Sequence, residues 1–91
     1  MPYITPEKRR RWARILEQIE SALRAETNSP GDLNYLLSSI VKRYTLIEGA
    51  GTADYSLLNE IDGVLGLMQY EFRRKAVAPY EDKKEDINGP L

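Results

Sequence analysis

Between Asp54 and Ala78, the residues Leu57, Ile61, Val64, Leu65, Met68 and Phe72 recur at steps of three and four. At about 100° per residue these side chains fall in one stripe along a helix. Asp54 precedes the stripe and is a good N-cap, since its carboxylate accepts hydrogen bonds from the free N–H groups of the first turn. The spacing predicts a helix over 54–78, because Pro79 lacks an N–H and pushes its predecessor out of the α region. That is roughly 36 Å of helix at 1.5 Å per residue. In a 91-residue chain such an element is the spine.

A second face of the same helix carries Asn59, Gly63, Gly66, Leu67, Tyr70 and Arg74. A mid-helix glycine costs about 1 kcal/mol relative to alanine, so two of them three residues apart call for a reason. Lacking side chains, they let another backbone approach closely. Three occupants fit: another helix of the same chain, a helix of a second copy, or a ligand.

Two further helices are predicted upstream. Thr5-Pro6-Glu7 supplies a cap, a proline at the first helical position and an acid at the positive end of the dipole. The first helix is expected over 6–25, following the short apolar lead 1–4, with Ile4 placed to staple onto the first turns. Ser29-Pro30 opens the second, expected over 30–48, and Gly49-Ala50-Gly51 permits a left-handed cap and a turn. Asn34 and Tyr35 follow that second cap and present polar groups at the helix mouth; packing is the simpler role for Asn34.

The fold expected is therefore all-α: an antiparallel three-helix bundle in one domain, with a long C-terminal helix. Its core should draw Trp12, Ile15, Leu16, Ile19 and Leu23 from the first helix and Leu33, Leu37, Ile40 and Tyr44 from the second. Leu57, Ile61, Leu65, Met68 and Phe72 complete it from the third. Beyond Pro79, Glu81, Asp82, Glu85 and Asp86 alternate with Lys83 and Lys84, and Asn88-Gly89-Pro90 is turn material. Disorder is the default for such a terminus. The ordered alternatives for the tail 79–91 are an extended or docked segment and a segment exchanged between chains. When docked, Tyr80 holds its start or its acids fold over Arg73, Arg74 and Lys75 or the basic run of the first helix.

Composition closes off several chemistries. The chain has no cysteine and no histidine, which removes disulfides, ordinary zinc sites, thiol nucleophiles and imidazole acid–base catalysis. No apolar run approaches the roughly 20 residues of a membrane span, and the N-terminus lacks the apolar core of a signal peptide. A cytoplasmic protein is expected, with no membrane partner and no cofactor. The net charge of −1 gives no overall attraction to nucleic acid.

The charges are nonetheless segregated. Lys8, Arg9, Arg10, Arg11 and Arg14 surround Trp12, and Arg73, Arg74 and Lys75 close the spine. Together they form a candidate nucleic-acid surface. The plainer reading is a solvated face whose arginines pair with acids elsewhere, the C-terminal tail included.

Carboxylates on facing helices hold Mg²⁺ in all-helical nucleotide pyrophosphohydrolases, through repeated Glu-x-x-Glu and Glu-x-x-Asp pairs. Glu17-x-x-Glu20 fits the first half, and Glu60, Asp62 and Glu71 lie on the spine. The Glu60-x-Asp62 spacing, however, throws those two acids about 200° apart on a helix, so they do not converge on one ion. No glycine-rich phosphate loop is present and no base for a serine nucleophile is nominated. No catalytic residue or metal ligand is assigned.

The opening Met1-Pro2-Tyr3-Ile4, the element Ser29-Pro30-Gly31-Asp32-Leu33-Asn34-Tyr35, and Glu71-Phe72-Arg73-Arg74 form one pattern with Ala78-Pro79-Tyr80-Glu81-Asp82-Lys83-Lys84 and Asn88-Gly89. In this order they resemble a group of small uncharacterised prokaryotic and phage proteins. The resemblance spans almost the whole chain and is most specific at 78–84. It implies a compact single-domain protein with an ordered segment over 79–84, and no activity. The close in Gly89-Pro90-Leu91 departs from the more polar ending expected.

The leading functional expectation is a non-enzymatic protein-interaction module acting as a homodimer. Its candidate interface is Gly63, Gly66, Leu67 and Tyr70, with Tyr80 from the tail. The alternatives are a nucleic-acid-binding accessory protein using Arg9, Arg10, Arg11, Arg14, Arg73, Arg74 and Lys75, and, third, a Mg²⁺-dependent nucleotide hydrolase.

Overall fold

A computed structural model describes residues 4–90; of the expected apolar lead, 1–3 lie outside the described residues, as does residue 91. Four α-helices follow one another, with no strand among the described residues. Helix α1 spans Pro6–Ala25, α2 Pro30–Glu48, α3 Tyr55–Phe72 and α4 Ala78–Asn88.

The starts of α1, α2 and α3 are made by the residues that the sequence nominates. The Thr5 hydroxyl accepts from the Lys8 N–H at 3.4 Å, and Asp54 Oδ1 from the Leu57 N–H at 2.8 Å. At α2 the capping is reciprocal. Asp32 N–H donates to Ser29 Oγ at 3.3 Å, while Ser29 N–H donates to Asp32 Oδ2 at 2.6 Å. The hydrogen bonds from the Ser29 backbone and hydroxyl hold the Asp32 carboxyl below the usual carboxylate range.

The expected stop at Ala78 is not where the helix ends. Backbone angles stay helical through Phe72 (φ −62°, ψ −44°), Val77 (φ −74°, ψ −49°) and Ala78 (φ −61°, ψ −47°). Between α3 and α4, Arg73–Val77 widens into a π-turn, in which Ala78 N–H reaches back five residues to the Arg73 carbonyl. In a regular helix the Pro79 ring would meet the carbonyl four residues earlier. Widening the preceding turn relieves that clash, the usual setting of a π-bulge. The expected extended or docked tail is thus helix α4 over most of its length, and Tyr80 does not dock, being 61% exposed.

A one-chain bundle is not what the helices form. Only α2 and α3 come together from distant parts of the sequence; α1 packs against no other helix. Val41, Thr45, Ala53, Leu57 and Ile61 become half-buried, and no described residue is buried. Apart from Ile19, Leu57 and Ile61, the expected core residues stand open: Trp12 is 42% exposed, Leu16 60%, Tyr44 53% and Phe72 64%. The radius of gyration is 17.0 Å, against about 12 Å for a compact domain of this length. The compactness implied by the family resemblance is therefore absent from the single chain.

The two connections explain this shape. Glu26 is extended (φ −144°, ψ 166°) and Asn28 Nδ2 donates to the Leu23 carbonyl at 2.8 Å, finishing α1. Ser29 (φ −115°, ψ 166°) then starts α2 directly, so both sides of this elbow are tied by local hydrogen bonds. The second connection is a tight hairpin. Its left-handed residues are Ala50 (φ 50°) and Gly51 (φ 89°), whereas Gly49 is not left-handed (φ −86°, ψ 0°). Gly49 serves close approach instead: a Cβ there would lie 2.9 Å from the Thr45 carbonyl oxygen and 3.0 Å from Ala53 Cα.

Adjacent hairpin substitutions should therefore act in opposite directions. Gly49→Val is expected to destabilise by about 1–3 kcal/mol through overpacking. Ala50→Gly should stabilise by about 1 kcal/mol by relieving the left-handed alanine, both read as thermal midpoints by circular dichroism. Asp32 gives a pH prediction. Its folded pKa is depressed, so its contribution is full above the ordinary value of about 3.9 and is lost as pH falls through the folded value. The stability gap between the native chain and Asp32→Asn should hold at neutral pH and close below about pH 4.

Candidate functional site

Where α2 and α3 lie together they leave a groove of about 380 Å³ lined by Ile40, Val41, Tyr44, Leu57, Glu60, Ile61, Val64 and Leu65. Its walls are apolar but for Glu60 and the Tyr44 hydroxyl. Ligand pockets of this size usually add a few convergent polar groups that fix orientation. One carboxylate among aliphatic side chains suits the apolar face of a helix better than a polar small molecule. The stripe along α3 predicts one wall. Val41 and Glu60 lie outside the predicted stripes, and only the pairing of the two helices shows that they belong here.

On α3, Gly63 and Gly66 lie roughly 160° round the helix from the middle of this groove, with Leu67 nearer its Glu60 edge. Nothing stands within 4 Å of a Cβ placed at Gly63 or Gly66. Packing on another helix of the same chain, the simplest account of these glycines, is therefore not realised. Leu67 is 50% exposed and Tyr70 60%, so the face is open along its length. Tyr80, beyond the π-turn, carries Lys84 Nζ 5.7 Å from its ring centre.

The basic residues divide into two kinds. Near the start of α1, Arg9 Nε donates to the Ile4 carbonyl at 3.1 Å and the Arg11 guanidinium sits 4.6 Å from the Trp12 ring centre. Lys8, Arg10 and Arg14 are exposed. No cation of this cluster forms an ion pair among the described residues. The expected pairing of these arginines with the acidic C-terminal segment is therefore not formed. At the π-turn, Arg73 is exposed, while Arg74 and Lys75 converge on Glu71 at 3.0 and 3.3 Å. Glu71, a candidate metal carboxylate in the sequence, is the half-buried acceptor for both.

The remaining carboxylates do not assemble. Glu20 is engaged by Arg24 at 2.6 Å, and Glu17 borders a shallow notch with Arg14. Among the described residues no group of three or more potential metal ligands gathers. Asn34, at the mouth of α2, accepts from the Ser38 hydroxyl of its own helix at 3.3 Å. Among the described residues no helix is long and apolar enough to cross a membrane.

A family model described as a domain of unknown function (DUF6899) matches residues 1–91. No curated protein and no solved structure matches the chain.

The Glu71 cluster should contribute little stability and lose it in salt. Its cations are more than half exposed, so Glu71→Gln is expected to cost less than about 1 kcal/mol. The difference should shrink toward zero in about 1 M salt, where the Debye length is near 3 Å, as read from paired denaturation curves.

Proposed function

The chain belongs to the DUF6899 family, and from its open apolar faces we propose a non-enzymatic protein-interaction module that acts as a homodimer. One observation carries this reading: three amphipathic helices with well-formed caps leave every described apolar side chain at least partly in water. Fully covering a single large aliphatic or aromatic side chain gains about 1.5–3 kcal/mol. Association costs an estimated 4–15 kcal/mol. The stripe of α1 alone carries five such residues, so two copies acting on each other have enough apolar surface to offset that cost. The antiparallel bundle expected from the sequence is, on this reading, completed between chains. A cytoplasmic setting and a prokaryotic or phage source fit the sequence pattern and belong to the same proposal.

A nucleic-acid-binding role is the second reading. Lys8, Arg10 and Arg14 favour it: they form no ion pair among the described residues, and exposed cations near the start of α1 suit a phosphate backbone. Against it stand the engagement of Arg74 and Lys75 by Glu71, which offsets one of their two charges, and the net charge of −1. Binding to duplex or single-stranded DNA that falls steeply with salt would establish it. A nucleotide hydrolase has no assembled carboxylate site to support it.

Gly66→Leu is a clean test of the glycine face. A Cβ there meets nothing within 4 Å beyond its own helix backbone, and leucine is the better helix former. Where this face forms the dimer contact, helix content should hold or rise while the mass by native mass spectrometry falls from dimer to monomer. A Gly66→Leu chain that keeps the parent's dimeric mass removes this face from the interface.

A further inference from the structure

We infer that the α2–α3 groove is filled by helix α1 of a second copy, exchanged reciprocally across a two-fold axis. This rests on the reading that the chain self-associates, and it names the element that makes the contact.

The elbow argues for a second copy. Asn28 ties the end of α1 to the Leu23 carbonyl, and Ser29 with Asp32 locks the start of α2 one residue later. Proline at the first position of α2 further confines Ser29 to its extended conformation. With both flanks held, α1 is directed away from its own α2 and α3 and touches neither. Folding α1 back onto its own groove would require breaking these local bonds. A second copy receives α1 with the elbow as it stands, the geometry of an exchanged element.

Shape and charge argue for α1 as the occupant. Trp12, Ile15, Leu16, Ile19 and Leu23 make a stripe along a single helix, the form that an apolar groove between two helices accepts. Five residues from α1 and seven from the groove on each chain make the apolar centre of an interface of roughly 20–30 residues a side. The one charged residue of the groove, Glu60, has no ion pair among the described residues, and the cations flanking Trp12 have none there either. Seating α1 brings the two unpaired signs to the same interface.

The absence of cysteine makes the test direct. Ile19→Cys and Ile61→Cys chains are mixed and treated with a short bis-maleimide, alongside each variant alone and the double variant. Exchange predicts covalent dimers joining Ile19→Cys to Ile61→Cys, several-fold above the yield from either variant alone, and covalent dimers from the double variant. Cross-linked monomers from the double variant at every concentration would show α1 folded onto its own groove and overturn the inference. A dimeric native mass without the mixed cross-link would overturn the exchange and leave self-association standing. A monomeric native mass would overturn both. Trp12, the single tryptophan, gives a second readout in the unmodified protein. Its emission should move to shorter wavelength and resist acrylamide quenching as the dimer forms. Emission that stays unchanged while the mass doubles would contradict the inference.

Discussion

Ordering a residue costs about 1–2 kcal/mol of backbone entropy, and removing apolar surface from water is the main term that offsets it. In this protein the helices are specified locally and in detail, yet the single chain removes little apolar surface from water. These helices run 18–20 residues, and in proteins most of the stability of such helices comes from packing an amphipathic face rather than from propensity. Covering the stripes of α1, α2 and α3 is therefore the condition on which the whole architecture depends. Two helices meet that condition in part, through Val41, Thr45, Ala53, Leu57 and Ile61, and α1 does not meet it within its own chain.

The two connections divide these tasks. At the hairpin, Gly49 lets α2 and α3 approach closely, and the left-handed Ala50 and Gly51 reverse the chain in a few residues. At the elbow, capping hydrogen bonds on both sides do the opposite and keep α1 clear of its neighbours. One connection builds a groove and the other presents a helix. A chain that carries both a groove and an unoccupied helix of matching chemistry is complementary to itself. The π-turn adds a third element to this economy, since it carries the long helix past Pro79 and extends it as α4.

Much of this was legible in the sequence. Thr5, Ser29, Asp54 and the flanking prolines mark the three helix starts, and the three- and four-residue spacings mark the faces, because caps and periodicity act over one or two turns. The end of the long helix was not legible. Pro79 forbids one hydrogen bond, but whether a chain stops or widens into a π-turn depends on the backbone before it. The bundle was misplaced for a related reason. Amphipathic stripes say that Trp12 and Leu16 need cover, and they do not say whose. The glycine face shows the same limit: Gly63 and Gly66 announce a close approach, and the single chain supplies none. The groove needed the pairing of α2 with α3, since Val41 and Glu60 lie outside the predicted stripes.

The central claim is that the apolar stripes are covered only when copies associate. Thermal unfolding followed by circular dichroism across a hundredfold range of protein concentration tests it most directly. Binding that stabilises only the folded form makes the midpoint depend on concentration. Association of copies predicts a midpoint that climbs steadily with concentration and a shallow, poorly cooperative transition at the dilute end. A sharp transition with the same midpoint at every concentration would mean that one chain covers its own stripes, and would contradict it.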